Sequence, residues 1–194
     1  MNFQVQNTGA YKIHGELSPN LVDEYGFTVD IQADQIIISA KEDNIQNSKI
    51  QLTIDAPIKY MDFTGGLELR INGENLPLEE MHVSGAYAID IQNLDLPKLT
   101  MKMQGANALT ATGQISSMDL DMKGASTLDA QGLRIKQMTY LSEGASEAIL
   151  SVEEHLDVTI RGAGEVKYYG NPTIVSDLTP HVSVLEQISI EIPE

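Results

Sequence analysis

Histidine, carboxylate and tyrosine side chains are where chemistry would be sought first, and their spacing limits what they can do. His14, His82, His155 and His181 are widely separated in sequence, with none of the short spacings that bring metal ligands together. His82 stands at a position equivalent to Asp62 and Lys102 in the repeat described below, where a solvated surface histidine is the expectation. Glu80, Asp119 and Asp157 also share one equivalent position, with Thr100 and Thr139 between them, and Asp90 and Asp129 are separated by Thr110. Polysaccharide lyases and hydrolases place acidic pairs, calcium-binding Asp clusters or a basic catalytic residue on one exposed face. In stacked strands, acid–Thr–acid order holds like charges about 10 Å apart instead of pairing them. Lys123, Glu143 and Arg161 form a row of alternating sign, and Arg70, Arg134 and Arg161 are the only arginines, too few for a basic groove that would hold uronic acids. Tyr87, Tyr168 and Tyr169 are candidates for stacking on sugars; the repeat points Tyr168 inward and Tyr169 outward and sets Tyr87 just past a corner. Gly-rich phosphate loops, His-Glu-x-x-His, Gly-x-Ser-x-Gly, EF-hand spacing and Gly-Gly-x-Gly-x-Asp are all missing. The expectation is no catalytic residue, no metal ligand and no cofactor.

The 194 residues carry 12 Lys or Arg against 28 Asp or Glu, a formal charge of −16. Such a chain is a poor partner for nucleic acid or an anionic membrane, both of which present phosphate. With no cysteine, disulfide scaffolds, thiolate metal sites and cysteine nucleophiles are excluded. No apolar run approaches the roughly 20 residues of a membrane helix, so membrane insertion is not expected. The opening Met1-Asn2-Phe3-Gln4-Val5-Gln6 has neither the basic start nor the apolar stretch of a signal peptide. Either the protein is cytosolic, or the chain starts after a removed export segment.

The elements that hold these side chains are set by an internal repeat. A Gly-small step recurs at Gly65, Gly85, Gly105, Gly124, Gly144 and Gly162, at intervals of 20, 20, 19, 20 and 18 residues. Four residues before these glycines stand Met61, Met81, Met101, Leu120, Tyr140 and Val158, and two before them Phe63, Val83, Met103, Met122, Ser142 and Ile160. Four after come Leu69, Ile89, Leu109, Leu128, Ala148 and Val166, and six after Ile71, Ile91, Ala111, Ala130, Leu150 and Tyr168. Period-two alternation with polar residues between predicts a half-buried strand on each side of the glycine. Glycine allows the sharp turn, and the alanine that follows is expected where no larger group fits. A looser cluster (Leu76 and Leu78; Leu94, Leu96 and Leu99; Ile115 and Met118; Leu133, Ile135 and Met138) gives a third arm. Three short strands per 19–20 residues describe an all-β, right-handed, single-stranded parallel β-helix whose aligned apolar columns fill one tube. Apolar residues at helical spacing are lacking. Asn72-Gly73 is the only Asn-Gly and Asp-Gly is absent, which speaks against a sandwich of hairpins.

One domain, 1–194, is expected, with less regular N-terminal coils or a cap over 1–55, regular coils over 56–180 and a C-terminal strand in 181–194. Thr8-Gly9-Ala10-Tyr11-Lys12-Ile13 is similar to Ser84-Gly85-Ala86-Tyr87-Ala88-Ile89, so a coil is read as starting there. Phe27–Ile31, Ile36–Ile38 and Ile50–Ile54 read as strands, with a turn at Asp34-Gln35. Gly170-Asn171-Pro172 breaks the pattern, and Val182–Ile192 alternates as a last strand. In all, nine or ten coils and a length of about 40 to 50 Å are expected.

Leu156-Asp157-Val158-Thr159-Ile160-Arg161-Gly162-Ala163-Gly164-Glu165-Val166-Lys167-Tyr168-Tyr169-Gly170-Asn171-Pro172 resembles the ending motif of the bacterial family named putative auto-transporter adhesin, head GIN domain. Gly124-Ala125-Ser126 and Gly144-Ala145-Ser146 are similar to that family's repeats, and Thr53-Ile54-Asp55-Ala56-Pro57 to its entry into the helical part. The resemblance is good over residues 50 to 185 and loose over the N-terminal 50. Where a further Gly-Ala-Gly step often appears, this chain has Thr179-Pro180-His181. The resemblance implies a right-handed parallel β-helix, usually exported and often lipid-anchored in the envelope, without established enzymatic activity. The reading is therefore a non-enzymatic envelope or secreted protein that presents an extended face for adhesion or scaffolding to an unknown protein or glycan partner, with homo-oligomers possible in principle. A polysaccharide-active β-helix enzyme and a cytosolic filament protein like the bactofilins are the alternatives.

Overall fold

Alternating apolar residues on both sides of each glycine do fold into short strands that stack coil upon coil. The computed structural model describes residues 2–6, 12–16, 28–32, 35–39, 49–55, 58–65 and 68–188, with side chains described over 58–65 and 68–188. Among these there are twelve strands and no helix: β1 Asn2–Gln6, β2 Lys12–Glu16, β3 Thr28–Gln32, β4 Gln35–Ser39, β5 Lys49–Asp55, β6 Tyr60–Gly65, β7 Glu68–Asn72, β8 Glu80–Gly85, β9 Ala88–Gly105, β10 Ala108–Tyr169, β11 Thr173–Leu178 and β12 Ser183–Gln187. β9 and β10 run on through several corners because the ladder to the neighbouring coil continues around them.

All strands join one sheet. From β4 and β5 onward every pairing is parallel: β4 on β6, β6 on β8, β5 on β7, both β7 and β8 on β9, β9 on β10, and β10 on β11 and β12. The register superposes equivalent repeat positions, with Gly65 opposite Gly85, Gly85 opposite Gly105 and Gly105 opposite Gly124. These glycines have φ of 111–131°. At Gly105 a Cβ would strike the carbonyl oxygen of Gly85 one coil away, so both the left-handed backbone and the close stacking demand glycine.

Every residue placed in the four inward columns is buried, from Met61 and Phe63 to Ile160 and Tyr168, and so is every residue of the third-arm cluster. They form one continuous apolar cluster along the axis. Full burial of a side chain of this kind contributes about 1.5–3 kcal/mol. The alanines behave differently from expectation: Ala86, Ala106, Ala125, Ala145 and Ala163 are exposed. The confined position is the next one, occupied by Tyr87, Asn107, Ser126, Ser146 and Gly164, all buried. There the polar side chains hold the bend together: Asn107 Oδ1 accepts from Tyr87 N at 3.1 Å, Asn107 Nδ2 donates to Gln104 O at 3.1 Å, and Ser126 Oγ accepts from Asn107 N at 3.3 Å.

The solenoid has about seven turns, not nine or ten, which at one strand spacing per turn makes roughly 34 Å. The difference lies at the N-terminus, where β1 pairs antiparallel with β2, β2 with β5, and β3 with β4. β4 and β5 continue the parallel stack, whereas β1, β2 and β3 pair antiparallel and close its end instead of adding coils. Gly9 and the turn at Asp34 lie outside the described residues. At the other end Gly170-Asn171-Pro172 does not break the stack, because β11 lies parallel on His155–Ile160. Thr179 builds the last corner in place of glycine: its Oγ1 accepts from Gly162 N at 3.1 Å and donates to Ile160 O at 2.9 Å. His181 takes φ of 67°. Residues 189–192 of the expected last strand lie outside the described residues.

Candidate functional site

Outward residues of β6, β8 and their continuations in β9 and β10 make a flat wall in which repeat spacing fixes every neighbour. Glu80 stands opposite Thr100, and Thr100 opposite Asp119. The acid–Thr–acid order is therefore real, and these carboxylates are kept apart. Asp62, His82, Lys102 and Asp121 follow each other in the next column. His82 Nε2 lies 2.7 Å from Glu80 Oε1, and Lys102 Nζ 3.6 Å from the same oxygen. Hydrogen bonding to His82, aided by the charge of Lys102, outweighs slight burial and holds the Glu80 carboxyl below its ordinary range. A general acid needs the opposite shift. The row of alternating sign closes into ion pairs, Lys123–Glu143 at 3.3 Å and Arg161–Glu143 at 3.6 Å.

The histidines are not brought together: His82, His155 and His181 sit in different coils, and His14 lies in β2, whose side chains are not described. Among the described residues there is no group of three or more His, Asp or Glu placed to hold a metal, and no helix is long and apolar enough to cross a membrane. The tyrosines divide. Tyr168 is buried and Tyr169 half-buried, facing out. Tyr87 is no stacking platform, because it is 2% exposed and packs against Phe63 with ring centroids 6.1 Å apart.

An aromatic ring that the sequence reading passed over is accessible instead. Tyr60 opens β6, outward and 38% exposed, in the column that runs from Gln35 through Tyr60 to Glu80 and Thr100. It lines a groove of about 460 Å³ with Pro77, Leu78, Glu79, Glu80, Leu96, Pro97, Lys98 and Thr100. Pro77 and Pro97 occupy corresponding places in successive coils and are both exposed. The alternation carried the signal for Tyr60, which is one residue before inward Met61. Pro77 and Pro97 stand 20 residues apart, one repeat, so the spacing marks them as neighbours on one surface.

Residues 2–172 match the family described as putative auto-transporter adhesin, head GIN domain. The chain belongs to this family. Solved structures similar to this GIN-domain chain include a putative adhesin from Bacteroides fragilis, 23% identical, with a TM-score of 0.69 over 94% of this chain and 85% of that one. A putative adhesin from Parabacteroides distasonis is 14% identical, with a TM-score of 0.59 over 94% and 86% of the two chains. A putative lipid binding protein from the same species is 15% identical, with a TM-score of 0.56 over 95% and 87%. At these identities the likeness speaks for the fold. No curated protein matches the sequence.

Proposed function

We propose that this GIN-domain protein is a non-enzymatic, adhesin-like component of the cell envelope or outer surface, which offers its long lateral wall to a protein or glycan partner. The observation that carries the reading is the continuous register of the outward columns from Tyr60 through Glu80 and Thr100 to Asp119, which supplies a flat, extended area whose charges are spaced or paired. Family membership supports the adhesin-like role and the surface location. Saturable binding of the purified, labelled chain to bacterial or host cell surfaces, without turnover of neutral and acidic glycans, is the expected result. Release of new reducing ends or unsaturated sugars from those glycans would overturn it in favour of a carbohydrate-active enzyme.

A second reading has one observation in its favour. Ile174, Val175, Val182 and Val184, four of the exposed large apolar side chains among the described residues, lie in the last coil. Exposed apolar strands invite strand addition, as in a head-to-tail filament. Sedimentation in neutral buffer separates the readings: open-ended polymers favour the filament, a discrete monomer or small oligomer the adhesin.

A further inference from the structure

We propose that the groove between Tyr60, Pro77 and Pro97 binds a neutral polysaccharide chain; this rests on the adhesin-like reading and gives it a ligand class and a place. The floor is apolar, made of Pro77, Leu78, Leu96 and Pro97, and the Tyr60 ring forms one side. Each charged side chain at the rim already has a counter-ion from the protein. Glu79 pairs with Lys59 at 2.6 Å, Glu80 with His82 and Lys102, and Lys98 with Asp119 at 2.9 Å. A charged ligand would have to displace one of these partners, and an anionic one would also approach a chain of net charge −16.

What remains for a ligand is the face of Tyr60, the ring C–H groups of two prolines, the Thr100 hydroxyl and the spare lone pairs of Glu79 and Glu80. Sugar rings present the complementary surface, an apolar C–H face edged by hydroxyls that both donate and accept. Tyr60, Glu80 and Thr100 follow one another in a single column, so contacts recur every ~4.8 Å along the axis, close to the length of one pyranose unit. A polyproline peptide would require a groove lined by several aromatic rings, and Tyr60 is the one aromatic side chain here.

The test is electrophoresis of the folded protein through native gels containing laminarin, galactomannan or dextran, with polygalacturonate and heparin as charged comparisons. At least one neutral polymer should slow the chain. Tyr60→Ala and Thr100→Val should each weaken the retardation, Tyr60→Ala by about tenfold, while Tyr169→Ala leaves it unchanged. Thr100→Val keeps the branched strand residue and removes only the hydroxyl, so it tests the site even if Tyr60→Ala unfolds. No retardation by any neutral polymer, retardation by charged polymers alone, or full retardation of both variants would each overturn the assignment. If glycan binding fails while saturable cell binding persists, the groove proposal falls and the lateral-wall reading stands. Loss of both removes the reading itself.

Discussion

Tyr87 shows what the corner does to a single residue. Its ring is buried against Phe63, its hydroxyl is buried without a hydrogen-bond partner, and burial followed by the charge of Asp62 pushes its pKa upward. Tyr140 is buried too, but its hydroxyl donates to Ser146 Oγ at 3.4 Å. An unpartnered buried hydroxyl costs stability, and a partnered one contributes modestly. Tyr87→Phe should therefore raise the urea stability by about 1 kcal/mol and Tyr140→Phe lower it by a similar amount. Burial also raises the Tyr140 pKa, so both phenols ionise later in the folded state than the ordinary value of 10.0. The unfolded chain then releases these protons first, and stability present below about pH 10 is lost as the pH rises further. Phe at both positions should flatten that alkaline fall. The inward place of Tyr87 was legible by counting back two residues from Ile89. Alternation continues through the glycine, since Met81, Val83, Tyr87, Ile89 and Ile91 all face inward on one parity.

Strands differ in how much their sequence can say. Inward columns are dictated by burial, so alternation finds Met103, Met122 and Leu128 and the other residues of the four columns, though those columns leave out Ile58, Tyr87, Val152 and Leu156. Alternation carries no information about strand direction, because parallel and antiparallel partners both face side chains alternately. For that reason the sequence leaves 1–55 as either irregular coils or a cap, and the antiparallel pairings of β1, β2 and β3 decide for closure of the stack. The corner into the third arm was obscure for another reason. Asn75 and Asn93, both at φ of 59°, and Gly113 at 123° serve there, so no single residue type marks it. Outward rows were legible as patterns, yet their energetic weight is small. Exposed ion pairs gain little against side-chain entropy and solvent screening. Glu143→Gln, which breaks the Lys123–Glu143–Arg161 row, should change stability by less than about 0.5 kcal/mol. Met103→Ala, which empties part of the tube, should cost about 3 kcal/mol. Urea unfolding at two salt concentrations checks both, and only the small effect of Glu143→Gln should vary with salt.

At the scale of the whole molecule, each coil touches only the coil before and the coil after, so the stack is close to one-dimensional. Tyr60, Pro77, Pro97 and Thr100 come together because a corner of one winding lies beside the same corner of the next. The repeat interval of 20 shows that these residues are neighbours, but not that they enclose a groove, since an exposed position has no apolar signature to betray the shape around it. The same arrangement makes a coil removable. Gly124 stacks on Gly105, Met122 on Met103 and Leu120 on Met101, so deletion of residues 105–123 joins Gln104 to Gly124 and leaves every inward column in phase. Such a chain should keep its far-ultraviolet strand signal and unfold cooperatively, with a denaturant slope smaller by roughly one tenth, in proportion to the surface lost. Deletion of residues 105–114 removes about half a winding. It would run the arm that ends at Gln104 straight into the third arm at Ile115, and the apolar residues beyond would no longer meet their columns. A misphased chain exposes its oily face and should aggregate or stay unfolded. If the full-period deletion proves as damaging as the half-period one, the windings are not interchangeable units, and the stacking described for them is not what holds the protein together.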